Sequence, residues 1–192
     1  MNRSVRRDLA DPYELHRTIM RAFPSAEAGG PGRVLFRLEG ELERPIIIVQ
    51  STVEAKWGSL PLAGGYLSSP PLQKSFDPEV VAGQVLRFRL RANPTVKREM
   101  KRIFLFDYED QVYWLDRKAT TGGFSVIQLT SIRSKLEPMS PGEGKAKTTI
   151  GAALFDGILR IEEPLNFKST LESGIGSGKG FGFGLLSIAP IR

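Results

Sequence analysis

The sequence from Gly174 to Gly184 reads Gly-Ile-Gly-Ser-Gly-Lys-Gly-Phe-Gly-Phe-Gly, with glycine at every second position. Glycine adopts left-handed backbone angles without steric cost, so such a run lets the main chain approach a ligand closely. Its successive N–H groups can form a concave site for phosphate oxygens, to which Lys179 adds a cation. The glycines that we expect to contribute are Gly176, Gly178 and Gly180. The same composition is typical of a flexible linker or a tight β-arch, and the residues alone leave these interpretations open.

Two common nucleotide-binding motifs do not fit this run. A P-loop has four residues between its first glycine and its Gly-Lys pair, then Ser or Thr. Here Gly174 is one residue too close to Gly178-Lys179, and Gly180 follows the lysine. The predicted order is also helix, loop, strand, whereas the P-loop and the dinucleotide fingerprint lie between a strand and a helix. The run therefore favours a phosphate-rich polymer over a mononucleotide.

The composition limits the chemistry. The chain has 192 residues, enough for one ordinary domain or two small ones, and its net charge of +6 favours a polyanionic partner. It has no cysteine, which excludes disulfides and thiol nucleophiles, and a single histidine, so no multi-histidine metal site is possible. We expect no metal and no cofactor. No apolar stretch is long enough to span a membrane, and we expect a cytoplasmic protein.

A helix is predicted to begin at Asp11-Pro12, because Asp is a favoured N-cap and Pro a favoured first helical residue. Tyr13, His16 and Arg17 then lie at positions i, i+3 and i+4, on one face near the start of this helix. Such a group suits phosphate chemistry. A surface helix with a histidine at the edge of the core explains the pattern as well.

Two basic segments follow each other in the middle of the chain. Residues 84–91 alternate between apolar residues and arginines, which predicts a half-buried strand. Its open face carries Arg87, Arg89 and Arg91. After Asn93-Pro94 comes a dense positive segment that includes Lys101 and Arg102. Together they predict a track for phosphates.

The sequence pattern of the second half predicts a helix, two strands, a second helix and a final strand. The first helix covers about 108–121 and a strand covers 124–129. Residues 132–147 are predicted to form a basic hairpin, whose cations are Arg133, Lys135, Lys145 and Lys147. A further hairpin is predicted with Asp156-Gly157 at its turn, a dipeptide typical of type I′ turns. This order matches a ferredoxin-like unit that lacks only a first strand.

The glycine run and its Leu-Leu-Ser-Ile-Ala-Pro exit resemble the C-terminus of the repeat-associated RNA-processing proteins, and more narrowly the CasE family. Members of that family are CRISPR precursor-RNA endoribonucleases of the type I-E system. Three stretches agree in order, from Arg7-Asp8-Leu9 to Arg17, from Arg87 to Pro94 and from Trp114 to Phe124, so the resemblance covers nearly the whole chain.

The resemblance implies an α+β fold of tandem ferredoxin-like (RRM-like) βαββαβ domains. We expect an N-terminal domain at 1–92 with the catalytic helix, a basic linker at 93–107, and a C-terminal domain at 108–192 with the basic hairpin and the glycine run. Family members usually begin with a β-strand before the Arg-Arg-Asp-Leu segment. No strand pattern is found there, so the first domain is expected to lack its first strand.

The resemblance also implies metal-independent cleavage of CRISPR repeat stem-loops. The 2′-hydroxyl attacks the adjacent phosphate and leaves 2′,3′-cyclic phosphate and 5′-hydroxyl ends. Family members place Tyr and His at positions matching Tyr13 and His16, and His16 is the main candidate for proton transfer. Arg17 or Lys179 would stabilise the phosphate charge. The basic hairpin would bind the stem, and the product would stay bound within Cascade.

Two other interpretations remain open at this stage. One is a non-catalytic scaffold subunit that binds an RNA hairpin, with the helix of His16 misplaced by the missing strand. The other is a nucleotide or small-molecule enzyme that uses the glycine run, although no Ser or Thr follows Lys179.

Overall fold

The computed structural model describes residues 2–40, 43–60, 65–140, 146 and 148–191. The helices are α1 (Arg3–Ala10), α2 (Pro12–Met20), α3 (Tyr108–Thr121) and α4 (Pro164–Ser173). The strands are β1 (Val34–Glu39), β2 (Ile46–Ser51), β3 (Val85–Ala92), β4 (Thr95–Arg98), β5 (Lys101–Phe104), β6 (Phe124–Met139), β7 (Thr148–Ile161) and β8 (Leu186–Pro190). Within the described chain they form a β1–β2 hairpin, a β4–β5 hairpin and one four-stranded sheet.

The four-stranded sheet is antiparallel, with strand order β6-β7-β3-β8. With α3 and α4, the chain order β3-α3-β6-β7-α4-β8 is a complete ferredoxin-like βαββαβ unit. Alternation along β3 puts Leu86, Phe88 and Leu90 into one core with Leu115 of α3 and Phe167 of α4. Burying each such side chain stabilises the fold by about 1.5–3 kcal/mol.

The position of β3 corrects the predicted domain boundaries. The sequence places Val85–Ala92 in a predicted domain at 1–92, but this strand pairs with β7 on one side and β8 on the other. Residues 93–107, predicted as a linker between domains, connect β3 to α3 inside the C-terminal unit. Alternating leucines and arginines show which face of a strand is buried, but they do not choose its partner strands.

The turn predicted at Asp156-Gly157 is also corrected, because β7 runs unbroken through both residues. Glycine is needed at position 157 because neighbouring groups pack closely against its backbone. A Cβ on Gly157 would overlap the carbonyl oxygen of Gln128 and lie 2.9 Å from Phe88 Cε1. The neighbouring strand β6 has register shifts at the same level, between Val126 and Gln128 and between Leu129 and Ser131.

The N-terminal unit consists of α1, α2 and the β1–β2 hairpin. Arg3–Ala10, where no strand was predicted, is helical, and Asn2 caps it by accepting from the Ser4 N–H at 2.9 Å. Asp11 caps α2 in the same way, with Pro12 in the first turn, which confirms the predicted helix start. Leu15, Ile19 and Phe36 belong to a separate core beneath the hairpin.

Arg37 on β1 ties the two units together. Its side chain is 2% exposed and donates to the carbonyl oxygens of Leu185 (2.9 Å) and Arg89 (3.3 Å) and to Ser187 Oγ (2.8 Å). Glu39 pairs with it at 2.7 Å. Burial lowers the pKa of Arg37, and Glu39 opposes that shift. A buried guanidinium with this many acceptors fixes β1 against β3 and β8.

Candidate functional site

His16 of α2 faces the glycine run. A Cβ placed on Gly180 would lie 3.7 Å from His16 Cε1, so any side chain there would contact the imidazole. The ring also stacks on Phe36, with ring centroids 6.2 Å apart and planes 18° from parallel. Burial lowers the pKa of His16 below its ordinary value of 6.5. Burial thus favours the neutral form of the imidazole, which is the form able to accept a proton.

The glycine run is an ordered arch. The Ile175 N–H donates to the Gly184 carbonyl at 2.9 Å, and the Gly184 N–H donates to the Arg91 carbonyl at 2.8 Å. Lys179–Phe181 form one 3₁₀ turn, with Gly178 (φ 76°) and Gly182 (φ 79°) in left-handed conformation on either side. These two positions require glycine. The run connects helix α4 to strand β8 and not two strands, so it is not a β-arch in the strict sense, and its binding of phosphate stays a prediction.

The arch keeps potential donors available for a ligand. Within the described chain, the N–H groups of Gly176, Ser177 and Gly178 have no hydrogen-bond acceptor. Lys179 has no carboxylate partner among those residues, and burial, then Arg33 and Lys118, lower its pKa. Such an unpaired cation beside free amides is suited to binding an anion.

Tyr13 and Arg17 lie together beside His16 on α2. The Arg17 guanidinium is 5.9 Å from the centre of the Tyr13 ring and 3.2 Å from Glu14 Oε1. Glu14 also pairs with Arg7 of α1 at 3.3 Å. Arg17 is therefore partly neutralised by an acidic neighbour. A cavity of about 330 Å³ opens on this helix pair and is lined by Arg7, Glu14, Arg17, Thr18 and Arg21.

The three arginines predicted to face a ligand on β3 differ from one another. Arg91 pairs with Glu137, donates to the Gly182 carbonyl at 3.1 Å and lies 4.4 Å from the centre of the Phe183 ring, so it holds the arch in place. Arg89 pairs with Asp156 at 2.6 Å. Arg87 is exposed and donates only to Pro190, at 3.3 Å. Two of the three are thus compensated inside the protein, which the alternation did not reveal.

The basic hairpin is formed by β6 and β7, whose pairing extends to Met139 opposite Thr148. Arg133 and Lys135 are mostly exposed, at 65% and 72%, and make ion pairs with Asp156 and Glu137. They border a cleft of about 890 Å³ that is also lined by Phe36 and Phe181. Lys145 and Lys147 lie outside the described residues.

Lys101 and Arg102 lie on β5 of the separate β4–β5 hairpin and are exposed. They do not line the cleft between the two units, as far as its described lining shows. The structure therefore brings His16, the glycine arch and Arg91 together, and it leaves the β4–β5 cations on a surface of their own.

Phe36, Arg37 and Glu137 are site residues that sequence reasoning missed. Phe36 supports the imidazole, while Arg37 and Glu137 fix the strands around it. An arginine inside the apolar strand β1 was the only available signal. Its burial depends on carbonyl acceptors about 150 residues away, which only the fold brings near.

Among the described residues, no cluster of three or more His, Cys, Asp or Glu side chains is arranged to hold a metal ion. In the same part of the chain, no helix combines the length and apolar character needed to cross a membrane.

Comparison with known proteins gives consistent matches over the whole chain. A family model described as CRISPR associated protein matches residues 1–190. The CRISPR-associated endoribonuclease Cse3 of Thermus thermophilus is 38% identical, with 98% of this chain and 95% of that protein covered. The Cascade subunit CasE of Escherichia coli is 28% identical, with 94% and 93% covered.

Solved structures agree. CRISPR endoribonuclease Cse3 bound to a 19 nt RNA matches with a TM-score of 0.85 at 38% identity, over 98% of this chain and 95% of that chain. A chain of a CRISPR RNA-guided surveillance complex matches with a TM-score of 0.73 at 25% identity, over 99% and 95%. These matches confirm the predicted α+β fold of tandem ferredoxin-like units.

Proposed function

The chain belongs to the family of CRISPR-associated proteins, and from this premise we propose that it is an endoribonuclease that cleaves CRISPR precursor RNA at repeat stem-loops. The T. thermophilus relative is named an endoribonuclease and has been solved with RNA in a pre-cleavage complex. The observation that carries the proposal to this chain is the position of the His16 imidazole, which lies beside Gly180 of the glycine arch and stacks on Phe36.

Cleavage proceeds by attack of the RNA's own 2′-hydroxyl. His16 takes the 2′-OH proton while the 2′-oxygen bonds to phosphorus and the bond from phosphorus to the 5′-oxygen breaks. The imidazolium then returns a proton to the leaving 5′-oxygen. The products are a 2′,3′-cyclic phosphate and a 5′-hydroxyl, and no metal takes part. Acid–base catalysis of this kind is worth about 10²–10⁴-fold in rate.

Charge on the pentacoordinate phosphorus is stabilised by groups around His16. Lys179 and the N–H groups of Gly176 and Gly178 supply a cation and amide donors from the arch. Tyr13 orients the 2′-hydroxyl or a phosphate oxygen. Arg17 contributes once the phosphate competes with Glu14 for its guanidinium.

The RNA stem lies along the cleft and the β6–β7 hairpin. Arg133 and Lys135 are exposed there, and phosphates compete for them with the carboxylates of Asp156 and Glu137. Because the major groove of A-form RNA is deep and narrow, shape and phosphate contacts dominate affinity. The product stays bound in a Cascade complex, since the E. coli relative is a Cascade subunit. The absence of cysteine suits a cytoplasmic site of action.

The proposal is tested by incubating a labelled repeat stem-loop with the protein in excess EDTA. Cleavage to 2′,3′-cyclic phosphate and 5′-hydroxyl ends is expected, and a 2′-deoxy substitution at the scissile nucleotide must abolish it. A requirement for Mg²⁺, or 5′-phosphate ends, would contradict the mechanism. Tight binding without any cleavage would leave the protein as a non-catalytic RNA-binding scaffold.

A further inference from the structure

The β4–β5 hairpin carries four exposed cations in an arrangement that opposes folding. Its register places Lys97 opposite Arg102 and Arg98 opposite Lys101. Like charges directly opposite each other on paired strands are destabilising. No carboxylate of the described chain forms an ion pair with any of the four.

The cations near the cleft are arranged differently. Arg89 pairs with Asp156, Arg91 with Glu137, and Arg133 with Asp156. These three sheet arginines are each compensated by a carboxylate, whereas none of the four cations of the β4–β5 hairpin is compensated within the described chain. An external polyanion is the simplest source of compensation.

The turn of this hairpin is strained in addition. Glu99 (φ 46°) and Met100 (φ 67°) are both left-handed, and they are the only non-glycine residues of the described chain with positive φ. A two-residue turn of this kind favours Asn or Gly, which are absent here. Strained backbone persists where the surrounding structure imposes it, and it occurs frequently at binding sites.

The base of the hairpin is firmly fixed, so its cations are held in place. Leu105 N–H donates to the Pro94 carbonyl at 3.0 Å, and Asn93 Nδ2 donates to the Gly151 carbonyl at 2.6 Å. A Cβ on Gly151 would overlap the ring of Phe104, which closes the hairpin against the sheet. The carbonyl oxygen of Arg91, two residues before Asn93, accepts a hydrogen bond from the Gly184 N–H of the glycine arch. The β4–β5 hairpin therefore begins close to the glycine arch.

Exposed aromatic rings follow the cations directly. Phe106 is 60% exposed and Tyr108 61% exposed. Phe106 meets Phe104 edge to face, with ring centroids 4.8 Å apart, so it is supported from within while remaining accessible from outside. Cations along a backbone track, next to aromatic rings on which bases stack, are the combination that binds single-stranded nucleic acid.

We propose that the β4–β5 hairpin and the start of α3 form a second RNA site, which binds single-stranded RNA flanking the repeat stem-loop. This site rests on the proposed function, because it needs an RNA held at the His16 site. Phosphates lie between the like-charged cross-strand pairs, and bases stack on Phe106 and Tyr108. The site increases affinity for flanked precursor over an isolated stem-loop.

The test compares three RNAs, each 2′-deoxy at the scissile nucleotide to prevent cleavage. They are the stem-loop alone, the stem-loop with about 10 uridines on its 5′ side, and the stem-loop with the same flank on its 3′ side. The full chain is measured as wild type, as Lys97→Gln/Arg102→Gln and as Phe106→Ala/Tyr108→Ala. The charge-matched control is Lys74→Gln/Arg160→Gln, at two exposed basic residues away from the hairpin.

Wild type is expected to bind one flanked RNA about 10-fold more tightly than the stem-loop alone. Lys97→Gln/Arg102→Gln abolishes that gain in affinity. It also lowers the slope of log Kd against log salt concentration by about 0.7 per lost phosphate contact. Phe106→Ala/Tyr108→Ala removes the gain without changing the salt slope. The control variant keeps the gain in affinity. Removing one like-charged pair must not lower the melting temperature, which separates lost binding from lost folding.

If the hairpin variants lose affinity equally for flanked and unflanked RNA, or if the control variant loses as much affinity as they do, the inference is overturned. Unchanged binding by both hairpin variants would also overturn it and leave an acidic protein surface as the occupant. Failure of wild type to bind the stem-loop at all would refute the proposed function itself, so the two failures are distinguishable.

Discussion

At the scale of single residues, the environment of His16 sets its chemistry. The imidazole lies beside an aromatic ring and a glycine main chain, and no hydrogen bond or ion pair to a described residue supports its charged form. Desolvation therefore dominates and lowers its pKa. In the proposed mechanism a neutral imidazole accepts the 2′-hydroxyl proton, whereas a charged one would have to lose a proton first.

This shift predicts a titration that is easily isolated, because the chain has one histidine. NMR of the free protein is expected to show a His16 midpoint below pH 6.5. The pH profile of kcat/KM, which reports the free enzyme, should rise through the same midpoint and then level off. A midpoint above 6.5, or a rate that falls as His16 loses its proton, would contradict its assignment as the base.

The same shift affects stability with a defined sign. The unfolded chain binds the histidine proton more tightly than the folded chain, so stability falls as pH decreases through 6.5 toward the lower folded-state pKa. Above 6.5 the contribution is constant. Urea denaturation of the wild type and of His16→Phe should diverge only in that acidic window, and parallel curves throughout it would refute the shift.

At the scale of elements, two glycines of the arch have different roles. One is required by the backbone conformation, and the other leaves space beside the His16 imidazole. Gly182 has φ 79° and a Cβ there would lie 3.0 Å from Phe36 Cε2. Gly180 has no left-handed φ, and its nearest neighbour would be His16 at 3.7 Å. The two residues sit on the same short turn, which makes them a matched pair.

Gly182→Ala is expected to destabilise the protein by about 1–3 kcal/mol, because it combines left-handed strain with a close contact. Gly180→Ala should leave stability unchanged and slow cleavage about 10-fold, since its methyl group occupies space beside the imidazole. Thermal melting and single-turnover cleavage separate the two effects. Equal stability of both variants would contradict the observed arch geometry.

Elements were predictable where local chemistry decides them. The Asp11-Pro12 cap and helix α3 follow from capping and periodicity, which act within a few residues, whereas the hairpin predicted at 132–147 covers only the outer part of the β6–β7 pairing. The partners of β3 and the continuity of β7 through Gly157 depend on packing against distant strands. The sequence pattern is the same for a glycine in a turn and a glycine under a neighbouring strand, so that prediction was wrong.

At the scale of the whole molecule, the site lies between two units and depends on how they are joined. His16 comes from the N-terminal unit and the glycine arch from the C-terminal one. Arg37 links them through acceptors on β3 and β8, and Gln50 adds a bond to the Leu171 carbonyl at 2.7 Å. No sequence pattern indicated this junction, because its acceptors are main-chain groups.

Arg37→Ala is expected to destabilise the protein by about 3 kcal/mol, since it leaves buried acceptors and Glu39 without a partner. Arg87→Ala is the control: Arg87 is exposed, makes one 3.3 Å bond and should change stability by less than about 0.5 kcal/mol. Urea denaturation measures both. Equal effects would mean that Arg37 does not join the units.

The catalytic role proposed for His16 is tested by the single-turnover cleavage rate of His16→Ala on a repeat stem-loop in excess EDTA. The wild type should cut, and the variant should cut at least about 10²-fold more slowly while binding the RNA with similar affinity. That result would establish His16 as the proton-transfer group of a metal-free ribonuclease. Cleavage by His16→Ala at a rate close to that of the wild type would show that the chemistry lies elsewhere.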